Sequence, residues 1–259
     1  MLSRNFRLQK VGSLEWLKKN YDFSKISFFI DELIVIDISR ADKNLNAFCE
    51  MLQTLTDGCF IPICAGGGVR SAETARTLLR SGADKILVNT PLFTDMDLVC
   101  QLGSEFGQQC IVGSVDFKKS AIGKNEFMVQ SGSMPVQGDI PRLLAGLDND
   151  SIGELYLNSI DRDGTGQGYD FSILDNLPAD FSVPVIMAGG AGNSTHLHQG
   201  LSDTRIDAVA TAHLFNFVGD GLKQARNNLL RQGVDLAFWP EVDALLGEQA
   251  PSGMSGFGN

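Results

Sequence analysis

The sequence predicts an α/β protein, a single (β/α)₈ barrel of the TIM type made of two similar halves. Three observations carry this. Short apolar runs alternate with helical patterns along the chain, as βα units require. The length of 259 residues suits eight such units. The second half of the chain also repeats the first. A doubly wound open sheet is the competing architecture, but no GxGxxG fingerprint follows an early strand to support it.

The elements follow in order. Phe6–Val11 is read as the first strand. Glu32–Ile38 (ELIVIDI) is the second, a near-continuous apolar run as expected of a parallel strand covered on both faces. Phe60–Cys64, Lys85–Val88, Cys110–Val115, Glu154–Asn158, Val183–Met187 and Ala208–Thr211 complete the eight. Between the first two strands only a degenerate helix fits, around Phe23–Ile30. Helices are predicted at Ser71–Ser81, Asp95–Phe106, Ile140–Leu147, Ser194–Leu201 and Leu222–Gln232, with Ser71 as an N-cap. Lys118–Val129 reads as a hairpin inserted after the fifth strand. The barrel domain is placed at residues 1–241. The Gly-rich remainder, 242–259, is expected to be a disordered tail.

The repeat is specific. Ile61–Gly68 (IPICAGGG) opens a segment that ends at Asp84–Thr90, and Val183–Gly192 (VPVIMAGGAG) opens another that ends at Asp207–His213. One spacing, 123 residues, separates Gly66 from Gly189 and Asp84 from Asp207. Two half-barrels with like loops across one mouth are implied.

Composition narrows the function classes. With 21 basic and 31 acidic residues the net charge is −10, which disfavours nucleic acid as a partner. No apolar run reaches the ~20 residues of a membrane span. The first residues lack a secretory apolar core. Five cysteines without a CxxC suggest a cytoplasmic protein with reduced thiols. The three histidines form no metal set, so no metal or cofactor is expected.

An anion must therefore be held locally. A Gly cluster between a strand and a helix lets backbone N–H groups approach a phosphate. Gly189–Gly192 and the end of the eighth strand, with His213, occupy the usual phosphate location of such barrels. Gly66–Gly68 with Asn89 and Thr90 form the twin. Glycines also serve simply as tight turns, but the matched pair favours a ligand with two phosphates.

The loop Asp161–Asp170 (DRDGTGQGYD) suggests calcium at first, yet the closing Glu of an EF-hand is missing. Its carboxylates instead suit substrate orientation. Asp116 ends the fifth strand, where a carboxylate serves as general acid or base or pairs with Lys118. Asp37 ends the second strand in the same way. Glu32, Lys85 and Glu154 each open an even-numbered strand, so they ring the opposite mouth, joined by Arg4 before the first strand. Two acids and two bases there can pair with one another, or stand as solvated strand starts.

Together AGGGVRSAETARTLLRSGADKILVNT, SIDRDGTGQGYD, VPVIMAGGAGN and DELIVIDI resemble the cyclase subunit of imidazole glycerol phosphate synthase, over about Asp31 to Gly233. The resemblance implies a barrel that takes ammonia from a glutaminase subunit docked on its N-terminal face. It also implies cyclisation of a bis-phosphorylated ribulosyl aminoimidazole carboxamide nucleotide. One phosphate would lie near Gly67, Gly68, Asn89 and Thr90. The other would lie near Asp163, Gly164, Gly190 and His213, where the family has a serine in the last place. Asp116 matches the family's catalytic aspartate on the fifth strand, and Arg4, Glu32, Lys85 and Glu154 match its ammonia gate. The first-strand aspartate has no counterpart, since Arg7-Leu8-Gln9-Lys10-Val11 holds no carboxylate. Three readings follow: a histidine-pathway lyase, a paralogue passing ammonia to another acceptor such as a sugar nucleotide, or a non-catalytic activator of a glutaminase.

Overall fold

Over its described part, the predicted first strand is no barrel strand. The computed structural model describes residues 2–9, 15, 23–40, 43–147, 151–212 and 221–237. In it the chain opens as an antiparallel hairpin of β1 (Leu2–Arg4) and β2 (Arg7–Gln9). Asn5 and Phe6 form its turn at φ 52° and 57°, the left-handed pair that a two-residue hairpin needs. The physical reason is legible. A barrel strand is buried on both faces, whereas this stretch alternates apolar Phe6 and Leu8 with polar Arg7 and Gln9. It pairs with its own neighbour instead.

Seven parallel strands then follow in barrel order: β3 (Leu33–Ile36), β4 (Ile63–Gly66), β5 (Lys85–Val88), β6 (Ile111–Lys119), β9 (Glu154–Ser159), β10 (Val185–Ala188) and β11 (Ala208–Val209). Each pairs with the next in sequence. Between β6 and β9 come β7 (Asn125–Val129) and the short β8 (Met134–Pro135). β7 folds back antiparallel on β6 with Phe117 opposite Phe127, and both rings are buried. This is the predicted inserted hairpin.

The helices are α1 (Phe23–Ile26), α2 (Leu45–Thr56), α3 (Ala72–Arg80), α4 (Pro91–Thr94), α5 (Met96–Phe106), α6 (Ile140–Ala145), α7 (Ser194–Leu201) and α8 (Gly221–Arg231). The sequence reading missed α2. Its signals are the N-cap Asn44 and a buried face of Phe48, Cys49, Leu52 and Leu55 at helical spacing. After β9 a 3₁₀ segment, Phe171–Asn176, replaces a helix.

Two apolar clusters result among the described residues. The larger lies between strands and helices, and includes Leu52, Leu78, Leu102, Leu155 and Met187. The smaller comprises Cys64, Leu87 and Val112, with Ile34 and Tyr156 packed on it. These five come one each from β3, β4, β5, β6 and β9, so this layer faces the inside of the curled sheet. The predicted tail, 242–259, lies outside the described residues.

The half-repeat is real, but its register needs a correction. Ile63 N donates to Asp84 Oδ2 at 2.8 Å, while Asp84 N donates to Ile63 O at 2.8 Å. Val185 and Asp207 repeat both bonds at 2.8 and 2.9 Å. Ser71 caps α3 through Thr74 N, and Asn193 caps α7 through His196 N. Strand, Gly loop and cap are therefore related by 122 residues. Gly67 and Gly68, at φ +103° and +97°, answer to Gly189 and Gly190, at +82° and +113°. The 123-residue spacing holds only from Asp84 onward, because the second half carries one more residue between the cap and the Asp.

Candidate functional site at the C-terminal mouth

Among the described residues, the predicted mouth residues other than Asp116 stand just beyond the C-terminal ends of the parallel strands. Asp116 projects inward from β6, on the same face as Val112. Asn158 Nδ2 on β9 donates to its Oδ1 at 3.0 Å. Asn89 Nδ2, beyond β5, reaches its Oδ2 at 3.4 Å and Ser114 O at 2.9 Å. Burial pushes the Asp116 carboxyl up to about 7, against the Asn158 hydrogen bond, with the charge of Asp163 adding to the rise. A carboxyl at that value takes and gives protons near neutral pH. Asn158 was not singled out from the sequence; the only signal was its place at the end of a predicted strand.

The remaining candidates surround Asp116. Thr90 Oγ1 donates to Asn89 Oδ1 at 3.4 Å. Asp37 accepts from Ser39 N at 2.9 Å and pairs with Lys43 at 3.3 Å. Asp161 Oδ2 accepts from Lys119 N at 2.7 Å, so its role is partly to hold the inserted hairpin. Asp163 O accepts from Asn5 N at 2.9 Å, and Asp161 O accepts from Asn5 Nδ2 at 2.7 Å. The β1–β2 turn thus rests on this loop at the mouth. Gly164 takes φ +67° in it. His196 Nδ1 accepts from Gly192 N at 3.2 Å, so that amide already has a partner, and His196 is half-buried. His213 and Lys10 lie outside the described residues.

The Gly loops are tightly built. A Cβ on Gly67 would lie 2.2 Å from Asp37 O, and one on Gly189 would lie 2.6 Å from Ser159 O. No side chain fits there.

At the other mouth, Lys85 Nζ donates to Glu32 Oε2 at 2.6 Å and to Glu154 Oε1 at 2.7 Å. Burial opposes the lysine's charge, but its two carboxylate partners outweigh it and hold the ammonium above its ordinary range. Burial raises the Glu32 carboxyl despite Lys85. Three of the four predicted ring members therefore meet. Arg4 does not join them. It adjoins Asn5, which is bonded to the Asp161–Asp163 loop beyond the far end of β9, and hairpin pairing has carried it to the opposite mouth. Glu32 Oε1 and Glu154 Oε2 stay buried without a hydrogen-bond partner among the described residues.

A family model described as histidine biosynthesis protein matches residues 22–219. The chain belongs to that family. Its fold is accordingly the α/β TIM barrel, with β3 to β11 supplying seven strands in order. Within the family, a provisionally named imidazole glycerol phosphate synthase subunit hisF2 of Parasynechococcus marenigrum is 46% identical over 240 residues, 92% of this chain and 89% of that protein. One of the same provisional name from Pseudomonas aeruginosa is 34% identical over 190 residues, 73% and 76% of the two chains. The imidazole glycerol phosphate synthase subunit HisF of Dictyoglomus turgidum is 31% identical over 233 residues, 90% and 89%. The chain is thus a HisF-like member of its family. Among the described residues no helix is long and apolar enough to cross a membrane.

Proposed function

We propose that this chain is the ammonia-accepting synthase or cyclase subunit of a cytoplasmic glutamine amidotransferase. Its substrate carries a phosphate at each end and lies across the C-terminal mouth. The observation that carries the reading is Asp116, a carboxyl raised to about 7 between two equivalent Gly loops. Gly67, Gly68, Asn89 and Thr90 bind one phosphate. Asp163, Gly164, Gly189, Gly190 and His213 bind the other, while Asp37 and Asp161 orient the middle of the substrate. Asp116 removes and returns a proton there, a role that contributes ~10²–10⁴-fold in rate.

Ammonia enters at the ring of Lys85, Glu32 and Glu154, where a glutaminase docks. It then crosses the layer of Ile34, Cys64, Leu87, Val112 and Tyr156. Such a layer suits neutral ammonia and rejects ammonium, whose charge costs far more to desolvate. The gate works without Arg4.

One observation favours an acceptor other than the histidine-pathway nucleotide. The opening hairpin supplies no second carboxylate, since Gln9 cannot exchange a proton near neutral pH and Lys10 brings the opposite charge. Co-expression with its glutaminase in a histidine-requiring strain that lacks the cyclase tests this. No growth is the expected result, and robust growth would restore the histidine-pathway lyase. In the purified complex, Lys85→Ala should impair the glutamine-driven reaction and spare the ammonium-driven one. Equal loss with both nitrogen sources would remove the gate.

A further inference from the structure

The hairpin of β1 and β2 stands apart from the sheet that carries the site. Its strands pair with each other and with no strand of the curled sheet. A two-stranded hairpin is barely stable alone, so its order depends on what it rests on. Its turn, Asn5–Phe6, ties it to the barrel. Asn5 N and Nδ2 donate to Asp163 O and Asp161 O at 2.9 and 2.7 Å, in the loop after β9. Phe6 O accepts from Arg40 Nη2 at 2.6 Å, in the loop after β3. β3 and β9 are four strands apart in the sheet order, half a circuit of an eight-stranded barrel. The turn therefore bridges opposite sides of the mouth.

A third side meets it. The turn Gln130–Ser133 joins β7 to β8, and a Cβ on Gly132 within it would lie 2.8 Å from Phe6 Cδ2 and 3.2 Å from Ile160 Cδ1. Only a glycine lets the ring come so close to that backbone. Among the described residues, the non-glycine residues at positive φ are Asn5, Phe6, Gln130 and Ser131. All four belong to these two touching turns. Left-handed backbone is uncommon for a Phe, and it persists where surrounding contacts enforce it. Both turns lead to Asp116. Phe6 N donates to Asp163 Oδ2 at 3.4 Å, and the charge of Asp163 acts on Asp116. Gln130 N donates to Thr90 Oγ1 at 3.4 Å, and Thr90 adjoins Asn89, whose amide reaches Asp116.

We infer that the Asn5–Phe6 turn is a strap closed over the Asp116 site. Phe6 shuts water out of the mouth, Asn5 positions the Asp161–Asp163 loop, and the hairpin lifts to admit the substrate. This rests on the reading of Asp116 as the proton-transfer group. Lifting releases the strain in the turn and breaks no bond of the parallel sheet, so it costs far less than opening a barrel strand.

The experiment uses the full chain with ¹³C-labelled aspartate carboxyls, Asp116 being assigned by its absence from Asp116→Asn. Native-state amide exchange is followed on the same samples. Asp163 and Tyr156 are the ionisable groups coupled to Asp116, so the Asp163 carboxyl is read in the same titration. In wild type the Asn5 and Phe6 amides should exchange together, about tenfold or more faster than those of β4 and β6. Phe6→Gly tolerates the turn and removes the cover, so Asp116 should titrate about one unit or more below wild type. Asn5→Gly should lower it less, and Phe6→Tyr, which keeps the ring, should leave it in place. An unchanged Asp116 in Phe6→Gly would overturn the strap, as would hairpin amides that exchange as slowly as those of β6. A wild-type Asp116 titrating near its ordinary 3.8 would instead overturn the proton-transfer reading, and the exchange rates would still decide the strap.

Discussion

The two halves of this barrel share a frame and differ in the side chains hung on it. The paired Asp-to-strand hydrogen bonds, the helix caps and the positive-φ glycines recur 122 or 123 residues apart. Glu32 and Glu154 are also equivalents, yet the lysine they share is unmatched, because the counterpart of Lys85 is Ala208. Asp116 stands alone too, since the first half opens on a hairpin instead of an acid-bearing strand. The lesson is that backbone geometry was kept in both halves. On the proposed function, anion binding would use that geometry twice, whereas proton transfer and gating would each use residues that break the symmetry.

The largest effect should come from the most asymmetric residue. Asp116 has a carboxyl raised from 3.8 to about 7 by burial, so the folded state binds more protons than the unfolded chain between those values. The native protein therefore loses stability as pH rises through that window. At a full shift the loss would approach about 4 kcal/mol. Asp116→Asn keeps an oxygen for Asn158 Nδ2 and cannot ionise. Its urea midpoint should match wild type near pH 4 and exceed it at pH 8, while activity collapses. A midpoint gap that is the same at both pH values would contradict the raised carboxyl.

The next effect tests the shared frame itself. Gly67→Ala forces a Cβ against Asp37 O, and Gly189→Ala forces one against Ser159 O, both at positive φ. Strain and overpacking together should cost about 3 kcal/mol in each. Gly123→Ala, at φ +78° with nothing within 4 Å, should cost only about 1 kcal/mol. Denaturation of the three variants separates crowding from backbone conformation. If Gly189→Ala proved neutral while Gly67→Ala unfolded the chain, the two loops would not be equivalents.

Much of this was legible in the sequence because it rests on local patterns. The apolar runs of β3, β5 and β9, the Ser71 cap and the Gly loops are each written in a few adjacent residues. So was the ring of Lys85, Glu32 and Glu154, since each opens a strand and barrel closure brings strand starts together. Arg4 failed for the converse reason. Its position depended on the first strand pairing in the barrel, and polar alternation with an Asn5–Phe6 turn made a hairpin instead. α2 was overlooked although its cap and apolar face are local. The 123-residue spacing was nearly right, and it failed only where runs of three and two glycines can be aligned in more than one way.

The smallest effect asks whether the halves are energetically equal as well as alike. Asp84 and Asp207 each accept a 2.8 Å bond from a strand-opening N–H, and replacing either by Ala leaves that donor unpaired. The donors belong to Ile63 and Val185, both buried, so the cost should be about 1–2 kcal/mol apiece, the lower part of the range for a donor left unpaired inside a protein. The sites are in separate halves, so the double variant should cost the sum of the two to within about 0.5 kcal/mol. The halves should nevertheless differ slightly. The charge of Asp84 contributes to raising Glu32, so Asp84→Ala relieves repulsion at the ring while it breaks the strand bond. Asp84→Ala should therefore be the milder change by a few tenths of a kcal/mol at pH 8, and the gap should close near pH 4 as Glu32 takes up its proton. Urea midpoints of the two single variants at both pH values measure this directly. A milder Asp207→Ala at pH 8 would mean that the ring does not feel Asp84, and the asymmetry would have to arise elsewhere in the frame.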